Sequence, residues 1–292
     1  ARVVAEAPDG FDLYSGDDAF TLPLLGARSA VLPYQGSKWR FRHCLQDRAE
    51  RLGFVGRPGR VVLTDPSPWG RTLTVILDRR QLQALVDRLH EVVRDDPSEV
   101  FRRLQGAGTP HEDVAYAAEF LFLQRLAFSG KAVGTRNGRW VSPGFNKTSA
   151  YGVAATDRFG EVQPMIPSLI RVLEGYVSQL VAADVEVRNE RAALPHGMGE
   201  STLVYLDPPY VGSTCYPDGQ MPRQQVIELA QAWRHAGAAV MVSEQHGLDL
   251  PGWSRSQVYS GRNDTSPFRG KQEEWVTFAP PAVAAAAAKF GG

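Results

Sequence analysis

The sequence predicts an α/β fold built on a mostly parallel, Rossmann-like sheet, with a helical and hairpin region inserted into it. Three observations support this prediction. Short apolar runs typical of strands alternate with amphipathic helical patterns between residues 203 and 243. The composition shifts to a basic, aromatic-rich segment between residues 128 and 160, before that alternation begins. The chain of 292 residues is long enough for one large domain that carries an insertion.

Composition narrows the class of protein. Apolar residues make up 43% and charged residues 22% of the chain, which is typical of a globular protein in water. No apolar run is long enough to cross a bilayer, and residues 1–10 do not resemble a leader. Cys44 and Cys215 form neither a disulfide framework nor a metal-binding spacing, which favours the cytoplasm. We therefore expect no membrane and no metal partner.

Formal charge gives no general preference for nucleic acid. Thirty-two acidic residues balance thirty-two basic ones. Any surface that binds nucleic acid must therefore be a local concentration of basic side chains.

The first third of the chain is expected to form an arm and two strands. Residues 1–30 are rich in Gly, Asp and Ala with little periodicity, and we expect an arm on the surface. Residues 61–64 predict a strand that ends at Asp65, and the β-branched run 72–77 predicts another that ends at Asp78. A parallel crossover needs about a dozen or more residues. Either the two strands pair antiparallel, or residues 72–77 are not the second strand.

The rest of the chain alternates between the apolar pattern of helices and the short apolar runs of strands. Helical spacing of apolar residues predicts four helices, and short apolar runs predict five further strands. An Ala-rich tail follows from residue 282. The predicted helices cover residues 81–94, 114–126, 167–181 and 223–235, and the predicted strands cover residues 185–187, 203–206, 238–243, 256–260 and 275–278.

The strand at residues 203–206 runs directly into Asp207-Pro208-Pro209-Tyr210. The prolines force the backbone out of the sheet in a stiff turn, and open α/β sheets place ligands at the carboxyl ends of their strands. The Asp207 carboxylate and the Pro208 carbonyl offer two acceptors, and Tyr210 offers a flat ring. This set suits a planar group with an NH2, such as a flipped adenine. The alternative is a plain strand-ending turn in which Asp207 is only a cap.

A second motif, Tyr34-Gln35-Gly36-Ser37-Lys38, stands before a basic helical stretch. A lysine together with main-chain N–H groups at the start of a helix predicts a site for a carboxylate or phosphate. A surface loop with a solvated lysine is the alternative.

The segment from residue 128 to 160 predicts a nucleic-acid contact. Asn137-Gly138 between two short runs is typical of a β-hairpin. Basic side chains interleaved with aromatic and amide groups on a projecting hairpin suit contacts with phosphates and base edges. A solvated polar loop is again the alternative. The candidate basic residues are Lys131, Arg136, Arg139 and Lys147.

These motifs, in this order, resemble the Dam-like family of DNA N6-adenine methyltransferases, which use S-adenosylmethionine (SAM). The resemblance covers about residues 31–280. Residues 34–38 resemble the family's aromatic–Gly–Lys motif, and residues 120–131 followed by Pro143-Gly144-Phe145-Asn146 resemble its helix and DNA-reading hairpin. Residues 203–210 resemble its DPPY strand, and residues 239–246 and 272–275 resemble its closing strands.

The resemblance implies roles for most of these residues. Tyr34, Gly36 and Lys38 would contact SAM, and Asp207 would lie beside the cofactor. Asp207 to Tyr210 would hold the flipped adenine. Double-stranded DNA would be the partner, as it is in restriction–modification systems. The enzyme would act at the nucleoid of a bacterium, or it would be phage-encoded and act in a bacterial host. The implied DNA contacts are Lys131, Arg136, Arg139, Asn146 and Lys147.

One motif departs from the family. The family's cofactor loop follows the first strand as Asp/Glu-Pro-Phe-x-Gly-x-Gly, and Asp65-Pro66 fits its start. Trp69 and Arg71 then stand where the two glycines belong, although the glycines let the backbone approach the cofactor closely. We therefore expect a reshaped pocket in which Trp69 either stacks on SAM or fills its place. Asp78 is the candidate acid for the ribose.

The predicted organisation has four parts. A surface arm covers residues 1–30, and a Rossmann-like methyltransferase domain covers residues 31–80 and 162–281. A recognition region at 81–161 is inserted into that domain, and a tail covers 282–292. Two alternatives to a DNA adenine methyltransferase stay open. One is a DNA-binding homologue with an impaired SAM site, and the other is an enzyme that methylates RNA or a different amino group.

Overall fold

The structure, a computed structural model, describes residues 10–16, 18–32, 38–128, 132–151, 165–180, 184–188, 201–208, 221–262 and 271–282. Its strands are β1 (Phe11–Ser15), β2 (Pro58–Thr64), β3 (Gly134–Arg136), β4 (Arg139–Val141), β5 (Asp184–Arg188), β6 (Thr202–Leu206), β7 (Ala239–Glu244), β8 (Ser254–Arg262) and β9 (Lys271–Ala279).

The helices are α1 (Asp18–Leu24), α2 (Arg42–Arg51), α3 (Pro68–Leu77), α4 (Arg79–Val92), α5 (Pro97–Leu104), α6 (Asp113–Leu126), α7 (Lys147–Tyr151), α8 (Met165–Gln179) and α9 (Arg223–His235). A 3-10 turn, Lys38–Phe41, precedes α2.

Seven strands form one mixed sheet in the order β5-β2-β1-β6-β7-β9-β8. The first five pair in parallel, and β9 runs antiparallel between β7 and β8. The chain moves outward from β1 through β2 to β5 and then crosses to β6 on the other side of β1. The strand order therefore reverses between β1 and β6, and this switch point is where doubly wound sheets bind ligands. The predicted Rossmann-like α/β fold class is confirmed.

The expected surface arm is wrong for residues 11–15. These residues form the central strand β1, which pairs with β2 on one side and β6 on the other. Its side chains are almost all buried, because both faces of a central parallel strand are covered by other layers. Helix α1 follows, and Phe20 on it packs against the Tyr205 ring with centroids 4.9 Å apart.

The strand expected at residues 72–77 is also wrong. This run lies in helix α3, which begins at Pro68 after the N-cap Ser67. The Ser67 hydroxyl accepts the Trp69 N–H at 3.2 Å, and proline is favoured in the first turn of a helix. The parallel crossover from β2 therefore contains α3 and the helices after it, and the next strand of the seven-stranded sheet is β5.

The apolar core lies on both faces of the sheet. One layer is small and packs α9 against β6 and β7 through Val226, Ala230 and Trp233. The other is larger and contains helices α3, α4, α6 and α8 together with the opposite face of the sheet. The helices of the predicted recognition region thus share a core with α3 and α8. In the parts of the chain that the structure describes, no helix has the length and apolarity needed to cross a membrane.

Candidate functional site

The carboxyl ends of β1 and β6 meet at Gly16. Its N–H donates to the Tyr205 carbonyl oxygen at 3.0 Å, which extends the parallel pairing by one residue. A Cβ at Gly16 would lie 3.6 Å from the main-chain nitrogen of Asp207. Because glycine has no side chain, the end of β1 can lie directly against the start of the Asp207-Pro208 turn.

Tyr205 holds the end of β6 in place. Its hydroxyl lies 2.7 Å from the Ser243 hydroxyl on β7, in a fully buried hydrogen bond. A buried hydroxyl pair of this kind is favourable because neither group is left without a partner. The hydrogen bond fixes β6 against β7 near the points where acidic side chains follow, Asp207 directly after β6 and Glu244 at the end of β7.

Lys38 lies between two carboxylates. Its Nζ is 3.4 Å from Oδ1 of Asp207 and 3.4 Å from Oε1 of Glu274. Only 4% of Lys38 is exposed, so the alternative of a solvated loop lysine is wrong. A buried ammonium needs such partners, because removal of a charge from water costs several kcal/mol. Lys38 therefore joins the turn after β6 to β9.

Glu244, the last residue of β7, completes this group. It is 7% exposed, and its pKa is raised to about 7, first by burial and then by the negative charges of Asp207 and Glu274. Arg223 and Lys38 act in the opposite direction. We call Lys38, Asp207, Glu244 and Glu274 the acidic cluster. Among the residues that the structure describes, no set of His, Cys, Asp or Glu side chains could hold a metal ion.

Asp65 directly follows β2, the second strand of the chain, although the sequence pattern placed it after the first strand. Its Oδ1 accepts the Ser67 N–H at 2.7 Å, which shapes the turn into α3. Gly70 lies so close to this turn that a Cβ there would be 2.1 Å from the Asp65 carbonyl oxygen. The acid after the second strand of a Rossmann-type sheet is the one that contacts a ribose. Asp65, rather than Asp78, has that location.

Trp69 and Arg71 do not replace glycines of a cofactor loop. Trp69 is 6% exposed and packs in the core, with its ring centroid 6.2 Å from that of Phe120 on α6. Arg71 Nε donates to Asp113 Oδ1 at 2.7 Å, and its guanidinium lies 4.0 Å from the Tyr116 ring centroid. Both residues fix α3 to α6. The loop after the first strand is instead the segment that starts at Ser15-Gly16.

Asp78 has a local structural role. It is the N-cap of α4, and its Oδ1 accepts the Arg80 N–H at 2.8 Å and the Gln81 N–H at 3.3 Å. These hydrogen bonds stabilise its ionised form and lower its pKa. It follows a helix rather than a strand, so the ribose contact expected of Asp78 has no support from its place in the sheet.

The predicted hairpin is present. Asn137 and Gly138 have φ of 52° and 66°, as a two-residue primed turn requires, and they join β3 to β4. Trp140 anchors the hairpin, since it is 1% exposed and its Nε1 donates to Glu119 Oε2 at 2.7 Å. Burial raises the pKa of Glu119, although the hydrogen bond from Trp140 acts in the opposite direction.

The tip of the hairpin carries two opposed cations. Arg136 and Arg139 are directly paired across the strands, and both are exposed. Arg139 Nη1 donates to the Gly106 carbonyl at 3.0 Å. Lys147 is exposed at the start of α7, and next to it the Asn146 N–H donates to the Leu126 carbonyl at 2.8 Å. The described DNA-contact candidates thus lie at the end of α6 and on the adjoining hairpin.

Several predicted site residues lie outside the described parts of the chain. They are Tyr34, Gly36, Lys131, Pro209 and Tyr210. Pro208 is described and buried directly after Asp207.

Three residues of the site were missed by sequence reasoning: Gly16, Glu244 and Glu274. Glu244 had a readable signal, since it is an acid at the carboxyl end of an apolar run, the same pattern that singled out Asp207. Gly16 follows β1, a strand that the sequence pattern does not predict. Glu274 lies inside a strand, and no local pattern distinguishes it from a solvated charge.

Known protein families and curated proteins offer no match to the chain. Among solved structures, it is similar to the rRNA methyltransferase aviRa from Streptomyces viridochromogenes, with 13% sequence identity and a TM-score of 0.33. That match covers 97% of this chain and 82% of the other.

The order and direction of the strands define the class of the protein. It has a Rossmann-type α/β fold with an acidic cluster beside the switch point.

Proposed function

We propose that the protein is a SAM-dependent methyltransferase that acts on the N6 amino group of adenine in DNA. The observation that supports the proposal best is the location of Asp207. This carboxylate follows β6 at the switch point, beside Gly16 at the end of β1 and in contact with Lys38. The DPPY motif therefore begins where this fold binds ligands.

Two of the described residues lie where the cofactor would bind. Gly16 brings the end of β1 against the start of the Asp207-Pro208 turn, where a Cβ would lie 3.6 Å from the Asp207 main-chain nitrogen. Asp65, at the carboxyl end of the neighbouring strand β2, has the location of a ribose-binding acid. Gly16 and Asp65 would thus hold opposite parts of SAM, which supplies a methyl group on an electron-poor sulfonium.

Asp207 and Pro208 orient the acceptor. An amino group that donates one hydrogen to the Asp207 carboxylate and the other to the Pro208 carbonyl turns its lone pair away from the adenine ring. Lys38, held between Asp207 and Glu274, fixes the carboxylate for this contact. A pre-organised geometry of this kind lowers the barrier because the reacting atoms no longer have to be brought together by chance.

The hairpin supports DNA as the substrate. Like charges directly opposite on adjacent strands are destabilising, and Arg136 and Arg139 are such a pair. Within the described residues neither arginine forms a salt bridge with a carboxylate. A phosphate between the two guanidinium groups would relieve their repulsion. Phosphate contacts position a duplex, and Asn146 nearby suits a base edge.

The test is transfer of a tritiated methyl group from SAM to short duplex DNA, with single-stranded DNA and RNA of the same sequence as competitors. We expect label in DNA, recovered as N6-methyladenine after digestion. Label only in cytosine or only in RNA would overturn the substrate assignment. Tight DNA binding without SAM binding would leave the non-catalytic homologue as the function.

A further inference from the structure

The acidic cluster contains more negative charge than Lys38 neutralises. Asp207, Glu244 and Glu274 come from the ends of β6 and β7 and from β9, whereas Lys38 comes from the 3-10 turn. Arg223 at the start of α9 is the other cation that acts on Glu244. Its Nη2 donates to the Gly247 carbonyl at 3.0 Å, which holds it near the end of β7.

These groups give the cluster two charge states. Two cations face three carboxyl groups, so the net charge is −1 when Glu244 is ionised and zero when Glu244 is protonated. Carboxyl, lysine and arginine side chains ordinarily titrate far from neutral pH. The location of Glu244, buried among like charges, is the geometry that moves a carboxyl group toward neutral pH.

The proposed function places a cation next to this cluster. An amino group that contacts Asp207 has its nitrogen within hydrogen-bond distance of that carboxylate. In-line attack then requires the methyl carbon about 3 Å further on and the sulfonium directly behind it. SAM bound for this transfer would therefore bring its sulfonium near the cluster. The demethylated product, S-adenosylhomocysteine (SAH), has nearly the same shape and carries no charge on sulfur.

We propose that Glu244 is a specificity-determining residue, whose ionisation makes the site favour the positively charged cofactor over its uncharged product. The proposal rests on the proposed function, because it requires that SAM binds beside Asp207. Ionised Glu244 attracts the sulfonium, and its protonation removes that attraction without any change of shape. The pKa of about 7 places this change near neutral pH. Product release is thereby favoured, since transfer of the methyl group removes the charge that the cluster holds.

The experiment measures the dissociation constants of SAM and SAH by calorimetry between pH 6 and pH 8.5. In the unmodified protein the preference for SAM over SAH should rise by about three- to tenfold as pH increases, with a midpoint near 7. Glu244→Gln should give a constant preference equal to the low-pH value. Glu228→Gln, on the exposed face of α9, is the control and should behave like the unmodified protein.

A second variant keeps the proposal testable if Glu244→Gln does not fold. Arg223 is exposed and lowers the pKa of Glu244 by its charge. Arg223→Met should therefore move the midpoint of the preference to higher pH. In the unliganded protein, NMR of carbon-13-labelled glutamate carboxyl groups should show one titration near 7 that moves the same way.

The outcomes separate the two proposals. If neither SAM nor SAH binds the unmodified protein, both the proposed function and the role of Glu244 are wrong. If both bind and their ratio is independent of pH, or depends on pH equally in Glu244→Gln, only the role of Glu244 is wrong.

Discussion

The N–H of Gly16 donates to the Tyr205 carbonyl at 3.0 Å, so the first strand ends beside the strand that leads into Asp207. This hydrogen bond joins the two edges of the switch point. It also explains why the site contains a residue from the first sixteen positions of the chain, far in sequence from the DPPY motif.

SAM binding should tolerate a small side chain at position 16 but not a large one, and the loss of glycine's backbone freedom there should have no effect. A Cβ would make ordinary contacts at 3.6 Å and 3.9 Å, and φ of Gly16 is not in the left-handed region. We expect Gly16→Ala to fold and to retain SAM binding. Gly16→Leu should crowd the end of β1 beside Asp207 and weaken SAM binding by at least about tenfold. Calorimetry with both variants tests this, and equal affinities would place the cofactor elsewhere.

Gly70 should be essential for stability. An added methyl group would lie 2.1 Å from the Asp65 carbonyl oxygen, so the turn between β2 and α3 would have to move. We expect Gly70→Ala to lower the free energy of unfolding by about 1–3 kcal/mol in urea denaturation.

The matched control for Gly70 is Gly175→Ala on α8. An added methyl group there meets only the flexible Gln179 side chain, at 3.0 Å. Alanine is the better helix former, so this variant should be neutral or up to about 1 kcal/mol more stable. Equal losses in the two variants would contradict the close approach at Gly70.

The hairpin should provide part of the salt-dependent affinity for DNA. Arg136→Ala together with Arg139→Ala removes the two cations at its tip. Removal of each cation that binds a phosphate should reduce the slope of log K against log salt by about 0.9. Titrations of duplex DNA at several salt concentrations measure the slope. Arg88→Ala is the control, because Arg88 forms an exposed ion pair with Glu91 on α4. An unchanged slope in the double variant would exclude the hairpin from the interface.

Glu244 should make stability depend on pH. Its pKa is raised from the ordinary value of 4.5 to about 7, so the folded state holds a proton that the unfolded state has lost between these values. The stability that this proton provides is present below pH 4.5 and is lost as pH rises through 7. Glu244→Gln cannot lose this stability. Its free energy of unfolding relative to that of the unmodified protein should therefore rise by about 1–3 kcal/mol between pH 5 and pH 8. Parallel stability curves would contradict the raised pKa.

The sequence predicted the parts of the fold in which pattern and packing agree. The helix at residues 223–235 and the hairpin at Asn137-Gly138 have strong local signals, namely a regular apolar face and a turn that needs two positive φ values. The buried run at residues 203–206 is predicted only as a strand, because an acid and two prolines follow it directly.

The errors have physical causes. Residues 11–15 contain Asp12 and Ser15, so the central strand lacks the continuous apolar run expected of a buried strand. Without that strand, β2 is taken for the first one, and Asp65 and Trp69 then fall in the wrong loop. Residues 72–77 have high β propensity, but Ser67 and Pro68 start a helix, and burial of its apolar side chains against the neighbouring helices stabilises it.

The acidic cluster could be predicted only in part. Lys38 and Asp207 were singled out by motifs, but their ion pair joins residues far apart in sequence. Glu274 enters through an antiparallel strand at the end of the chain, and only the sheet order brings it to Lys38. Long-range pairing of this kind leaves no periodicity in a single sequence.

Under the proposed function, Asp207 positions the amino group of a flipped adenine for methylation. Single-turnover methyl transfer to duplex DNA, compared between the unmodified protein and Asp207→Ala at saturating SAM and DNA, measures this role. We predict a rate lower by about two to four powers of ten, because the variant lacks the group that holds the acceptor in its reactive geometry. Full methyl transfer by Asp207→Ala would show that Asp207 does not hold the acceptor and that the active site lies elsewhere.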